Sequence, residues 1–322
     1  MKHLNMTAGL GALAFALAAC GGEPADDAAE IERVEAEETA PDTGMTETTG
    51  AGTGGAPFWT VTDEDSTVTL FPTIHFLPED LEWRSAEMEQ ALAEAEEVWF
   101  EILPSQLQDQ AAIQPVIMEY GMSQDQPLSE RLDEETYAEL ERVAEQIGFP
   151  VAQMEQMRPW LAAVTIGALD LMQDGFQPGS GAEMVLAADV DDSKEKAFET
   201  PEEQFSFFAN LDEDTEVAFL KSTIEQIDNG QAELQAFAQD WAAGDVSGLE
   251  DFIIDGMRDV SEELYQVLLV QRNQRWVDAL VTELEGSGTD FVAVGAGHLI
   301  GEDGVPEMLA ARGYTVEGPG FE

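Results

Sequence analysis

Basic residues are scarce in this 322-residue chain: 13 Lys and Arg stand against 67 Asp and Glu, for a formal charge of −54. So negative a surface repels phosphate backbones, which removes the main electrostatic drive for nucleic-acid binding; no nucleic-acid partner is expected. Cysteine occurs once, at Cys20, which excludes a disulfide framework and any Cys cluster. Beyond the N-terminus no apolar run is long enough to span a bilayer. A Walker A loop and a His-Glu-x-x-His pair are absent, and no Gly-x-Ser-x-Gly elbow supports a Ser-His-Asp triad. What the chain does have is the apolar content of a folded protein, 44% hydrophobic and 8% aromatic. The acid excess runs along its whole length, as in proteins that stay soluble in salty water, where counterions screen self-repulsion.

The N-terminus reads as a targeting segment. Met1-Lys2-His3 is weakly basic, and the apolar run from Ala8 to Ala19 is too short to span a bilayer. It ends in Leu17-Ala18-Ala19-Cys20, which resembles a bacterial lipobox in which Cys20 carries lipid and becomes the mature N-terminus. The chain is thus expected in the cell envelope, anchored and not spanning, on the outer membrane and facing the periplasm. Gly21 follows the cysteine, where inner-membrane retention in enteric bacteria would favour Asp. Residues 21–56 carry ten Asp and Glu with one Arg and almost no large apolar side chain, so they read as a disordered acidic linker. Residues 57–322 remain as the folded part.

That part reads as α/β, with α+β as the variant, in which strands from both ends of the chain form a central sheet around a mostly helical middle. Phe58 to Thr62 and Thr67 to Ile74 flank an Asp-Glu-Asp-Ser turn and predict a hairpin. A helix over 83–97 leads to an apolar strand, Val98 to Ile102. Residues 105–190 read as helical, with breaks at Gly121, Gly148-Phe149-Pro150 and Gly175 to Gly181. A short strand over 196–199 precedes Pro201, which suits the first turn of a helix. Apolar residues at Val217, Leu220, Ile224, Ile227, Leu234, Phe237 and Trp241 predict one long amphipathic helix over 212–241. A second helix, 262–284, is apolar on nearly every side apart from Gln271-Arg272-Asn273-Gln274-Arg275, and is expected to be buried. A strand over 290–294, a helix over 305–311 and a strand over 314–317 close the domain.

Histidine is scarce as well, which makes it informative. Of three, His3 is lost with the signal; His75 and His298 each follow a strand-like run at the start of a loop. Strand ends are where α/β folds aim reacting groups, and imidazole is both a metal ligand and a base near neutral pH. Each histidine can also be a plain strand-end residue. Glu101 lies inside an apolar strand, and a buried carboxylate needs a partner or an ion, although alternation could turn it to solvent. Two imidazoles and a carboxylate form a divalent-metal ligand set that leaves a position for water. Arg272 and Asn273 interrupt the apolar helix: a guanidinium there either holds a substrate carbonyl, carboxylate or oxyanion, or is paired to one of many carboxylates. The twelve methionines are spread along helices and read as core filler.

Five segments together resemble the TraB/GumN family. They are Pro72-Thr73-Ile74-His75-Phe76-Leu77-Pro78, Val98-Trp99-Phe100-Glu101, Glu199-Thr200-Pro201-Glu202-Glu203-Gln204, Arg272-Asn273-Gln274-Arg275-Trp276, and Val292-Ala293-Val294-Gly295-Ala296-Gly297-His298-Leu299-Ile300-Gly301. The resemblance runs from about residue 57 to 318. The family is related to the Tiki proteins, regarded as metal-dependent proteases with two Gly-x-x-His motifs and a Glu, and more distantly to erythromycin esterase and ChaN-like proteins with an α/β core. The resemblance implies that His75, Glu101 and His298 are catalytic and hold a divalent metal such as Mn, Co or Zn, and that Arg272 and Asn273 match a further motif. It implies a hydrolase acting on a peptide or small-molecule substrate. The alternative is a non-catalytic envelope protein binding a peptide or haem. One departure stands out: Pro72 occupies the position where the first motif begins with Gly, which matters only if that glycine adopts positive φ.

Overall fold

The computed structural model describes residues 54–321. The signal segment, Cys20 and nearly all of the acidic linker therefore lie outside the described residues. Ala56, at the end of the linker reading, already belongs to the core: it is buried, and its N–H donates to Trp83 O.

A mixed six-stranded sheet organises the molecule. Its strands are β1 (Trp59–Thr62), β2 (Ser66–Thr73), β4 (Glu97–Phe100), β6 (Glu195–Ala197), β7 (Gly288–Gly295) and β8 (Thr315–Glu317), in the order β6-β4-β7-β2-β1-β8. Two further two-residue strands, β3 (Leu77–Pro78) and β5 (Phe176–Gln177), pair apart from it and carried no visible sequence signal. The hairpin expected at the start is present, with β1 antiparallel to β2 and Trp59 opposite Leu70. From β2 the sheet turns parallel: β2 pairs β7, β7 pairs β4, and β4 pairs β6. The expectation that the two ends of the chain meet in one sheet holds, because β8 closes onto β1.

The parallel strands require long crossovers, and these supply the helices. Helix Ala86–Glu94 links β2 to β4, residues 104–188 link β4 to β6, and residues 201–284 link β6 to β7. β2 is buried along nearly its whole length, its Ser and Thr residues included, as expected of a parallel strand covered on both faces. Phe71 of β2 stacks on Phe291 of β7 at 5.8 Å and packs edge-on to Trp241, with Trp83 completing the cluster. Among the described residues no helix is long and apolar enough to cross a membrane.

Two helices differ from their sequence patterns. The single helix read over 212–241 is two, Glu213–Asn229 and Gln231–Ala242, broken at Gly230, whose N–H bonds back to Gln226 O. The apolar spacing survives the break, so periodicity alone could not reveal it. The helix read over 262–284 begins with a turn, Glu262–Tyr265, passes through a π-helical turn, Gln266–Val270, and continues as Gln271–Leu284. Leu268, Leu269 and Val270 are buried together, whereas Gln271, Gln274 and Asp278 reach solvent, so the second half is amphipathic and not buried all round. The extra residue accommodated by the π turn rotates the following turn, bringing Arg272 and Asn273 inward.

Candidate functional site

The four parallel strands deliver the site, because all end on the same edge of the sheet. His75 follows β2 by two residues, Glu101 follows β4 directly, Glu199 follows β6 by two, and His298 ends the single 3₁₀ turn Ala296–His298 after β7. This is the edge where parallel α/β sheets gather ligands. Gly295 shows how closely the groups converge. A Cβ on it would stand 2.9 Å from Glu101 Oε1, 3.8 Å from His75 Nε2 and 3.8 Å from His298 Cδ2. Only glycine lets the backbone N–H approach near enough to donate to Glu101 Oε1, at 2.8 Å.

Each imidazole is gripped through Nδ1. His75 Nδ1 lies 2.6 Å from Glu183 Oε1, and Glu183 also accepts from Thr73 Oγ1. Glu183 sits in the first turn of helix Ala182–Ala188, pressed onto the His75 backbone: Ala182 N donates to Ile74 O, and a Cβ at Gly181 would stand 2.1 Å from His75 O. His298 Nδ1 lies 2.5 Å from Asn273 Oδ1, whose amide nitrogen donates to Asp303 O at 2.7 Å. That second bond fixes the Asn273 amide with its oxygen toward the histidine, so Nδ1 of His298 carries the proton. Trp276 packs against the same ring at 4.2 Å between centroids. His298 is 3% exposed, His75 24% on its side chain.

Glu101 is held on both oxygens. Oε2 accepts from Arg272 Nη2 at 2.5 Å and Gln204 Nε2 at 3.0 Å; Oε1 takes the Gly295 N–H and lies 3.7 Å from His298 Nε2. Gln204 belongs to helix Pro201–Ala209, which has Pro201 in its first turn as expected from the sequence and is entered through a Thr200/Glu203 capping box. Arg272 has further fixed bonds to both Glu199 oxygens through Nε and to Leu268 O through Nη1. Glu199 is shared in turn with Arg275 and Trp276 Nε1. Of the two readings open for Arg272, the guanidinium is found paired to carboxylates.

The electrostatics separate the two histidines. Burial, reinforced by the Arg272 charge, holds the His298 pKa well below the usual value, so this ring is neutral near pH 7. At His75 burial opposes protonation, but the Glu183 charge and hydrogen bond, with Glu101 behind them, outweigh it and raise the pKa. Burial also works against ionised Glu101, yet Arg272, both imidazoles and the Gly295 N–H keep its pKa well below the carboxylate range. A neutral imidazole beside a fixed carboxylate can accept a proton or ligate a cation. As placed, no group of three or more His, Cys, Asp or Glu among the described residues stands in metal-binding geometry.

Sequence reasoning found His75, Glu101, His298, Arg272 and Asn273, and folding brings all five to one place. It missed Glu183, which has no local signal, and Glu199 and Gln204, which lay in a quoted motif without an assigned task. The departure at Pro72 proves harmless to the backbone. Pro72 lies within regular β2 opposite Val294, past the last β1 pair, where no neighbour needs its missing N–H and Trp241 Nε1 donates to its carbonyl. No non-glycine residue among those described has positive φ.

The cavity at this edge holds about 70 Å³ and is lined on its far side by Phe208, Phe237, Ile253, Met257 and Leu268. Among known proteins, the profile of the TraB/PrgY/gumN family matches residues 57–318. Over 184 residues the chain is 28% identical to the uncharacterized protein YbaP of Escherichia coli (strain K12), covering 56% of this chain and 67% of that protein, with the same figures for YbaP of Shigella flexneri. No solved structure matches.

Proposed function

From the premise that the chain belongs to the TraB/PrgY/gumN family, we propose that this cavity is the centre of a divalent-metal-dependent hydrolase acting on peptides. The observation that carries the reading is the orientation of the imidazoles. Acceptors on both Nδ1 atoms, Glu183 and Asn273, set the tautomers that direct Nε2 of each ring to the Glu101 side of Gly295. The donor chemistry fits an ion. Two donors on one tetrahedral ion at about 2.1 Å lie about 3.4 Å apart, and His298 Nε2 and Glu101 Oε1 are 3.7 Å apart. Buried Glu101 and Glu199 share the one buried guanidinium of the cluster, and buried Glu183 faces His75 instead.

His75, His298 and Glu101 would hold the ion, whose chemistry when bound is to polarise a carbonyl and activate water. The chain's own contribution is position. Arg272, Gln204 and the Gly295 N–H fix the Glu101 carboxylate, Asn273 and Trp276 fix His298, and Glu183 fixes His75. Arg272, with four of its five N–H groups given to Glu101, Glu199 and Leu268 O, acts as the clamp on Glu101. The apolar wall keeps bulk water from the polar floor, which strengthens every charge interaction there. With room for an ion and a few waters, the cavity meets a substrate at its mouth.

The test is elemental analysis of the purified protein, then cleavage of a peptide library with and without Mn²⁺, Co²⁺ or Zn²⁺. Metal-stimulated cleavage lost in Glu101→Gln is the expected result. Peptide capture with no cleavage under any metal would replace the hydrolase with the binding protein, a reading to which the apolar wall also lends itself. We further infer a lipid anchor at Cys20 and an envelope location, on the outer membrane facing the periplasm. The wild-type chain should then fractionate with membranes, and Cys20→Ser should release it or block its processing; a soluble periplasmic wild type would end that reading.

A further inference from the structure

Asp303 is held at two atoms by one stretch of helix. Its backbone carbonyl accepts from Asn273 Nδ2 at 2.7 Å, and its carboxylate accepts from the Tyr265 hydroxyl at 2.7 Å. Tyr265 is buried, and the Arg258 guanidinium covers its ring at 4.1 Å while lying 3.6 Å from the same Asp303 oxygen. Tyr265 and Asn273 stand eight residues apart, on either side of the π turn Gln266–Val270. In an unbroken α-helix eight steps rotate roughly 800°, about 80° beyond two full turns, so the two side chains would diverge. The extra residue taken up by the π turn leaves about seven α-helical steps, roughly 700° and within about 20° of two turns. Both donors therefore share one face, against the loop that returns from His298. Asp303 follows that histidine by five residues, in a turn where Gly301 takes φ +75° and accepts from the Gly304 N–H.

We propose that Tyr265 is a positioning residue for His298: its hydroxyl holds Asp303 where the carbonyl keeps the Asn273 amide oxygen on His298 Nδ1, and so keeps the ring proton off Nε2. An amide that loses its carbonyl partner can turn over. Turned over, Asn273 offers N–H to Nδ1, which must then accept, and the ring proton moves to Nε2. Nε2 is the nitrogen on the Glu101 side, and once protonated it neither accepts a proton nor ligates an ion. Trp276 does not prevent the exchange, because packing on the ring face is blind to which nitrogen carries the proton. The importance of an open Nε2 rests on the hydrolase reading above; the tautomer itself does not.

The experiment reads the tautomer directly, by NMR of ¹⁵N-histidine in the metal-free protein at slightly basic pH, with His298 told from His75 by the spectrum of His75→Ala. The wild type should show His298 with Nδ1–H alone. Tyr265→Phe, which keeps the ring and removes the hydroxyl, should add an Nε2–H fraction, and its Co²⁺ affinity should fall about tenfold. Asp303→Ala, at a partly exposed position, should show the same mixture, whereas Asp303→Asn, which retains an oxygen for Tyr265, should keep Nδ1–H. Ser66→Ala is the structural control: it loses a buried hydroxyl bond, to Leu284 O, at the opposite edge of the sheet, and should lower stability without moving the tautomer. A mixture already present in the wild type, Nδ1–H alone in Tyr265→Phe or in Asp303→Ala, or an Nε2–H fraction in Ser66→Ala would overturn the proposal. Failure of the hydrolase reading registers separately, as absent metal uptake and cleavage beside an intact tautomer response.

Discussion

His298 and Asn273 form a 2.5 Å hydrogen bond through Nδ1 and Oδ1, and the Asp303 carbonyl locks the amide that makes it. Replacing Asn273 by Ala removes the bond that orients the imidazole and leaves buried His298 Nδ1 and the carbonyl of partly buried Asp303 without that partner. Stability should fall by about 1–3 kcal/mol in urea unfolding. Metal affinity should fall about 10–100-fold, read by competition with a chelating dye. Wild-type metal affinity in Asn273→Ala would show that Trp276 packing alone orients the ring.

The histidines also make opposite predictions about protons. Metal ligation needs neutral imidazoles, and His298 is already neutral near pH 7, whereas the Glu183 pair favours protonated His75. Metal affinity should therefore weaken as pH drops through the His75 pKa, which lies above the ordinary imidazole value, with a slope of about one proton and not two. Glu183→Gln, which removes the charge that raises the His75 pKa, should move this fall to lower pH. A slope of two would mean that both rings compete equally with the ion.

Asp290 gives a pH test away from the site. Burial, with Glu283, Glu97 and Glu96 nearby, pushes its pKa up to about 6. A carboxyl raised above its unfolded value is protonated first in the folded state, so it stabilises the fold below an unfolded pKa of about 4 and this is lost as pH rises toward 6. Asp170 behaves likewise, through burial and the charges of Asp174 and Asp228. Both groups are partly exposed, so solvent screening leaves at most about 1 kcal/mol each. The melting temperature should rise from pH 7 to pH 5, and Asp290→Asn should raise it at pH 7 and flatten that rise. Below about pH 4.5 the unfolded chain takes up a proton on Glu101 while the folded state keeps it ionised, so stability falls and the trend should reverse.

Salt should act in the same direction as acid. With 67 acidic against 13 basic residues, repulsion among surface carboxylates opposes compaction, and screening relieves it. Differential scanning calorimetry should show the melting temperature climbing from low salt to about 1 M NaCl. A flat or falling curve would mean that spacing and surface pairs such as Arg142 with Asp228 already neutralise the effect.

The sequence by itself determined what depends on near neighbours. Alternation and apolar runs placed the strands that end beside His75, Glu101 and His298, and Pro201 marked the first turn of the helix that carries Gln204. Scarcity of histidine singled out the two that converge. Tertiary structure decided which groups these residues meet. Glu183 reaches His75 across 108 positions only because Gly181 lets a helix from the middle of the chain seat on the His75 backbone. Arg272 could be read as a substrate clamp or as one half of an ion pair until the order β6-β4-β7 set Glu101 and Glu199 side by side before it. The physical reason is range. Periodicity reports a residue's own turn or strand and whether it is buried, whereas the partner of a buried polar group is fixed by strand order and helix docking, which are contacts between segments far apart in the chain.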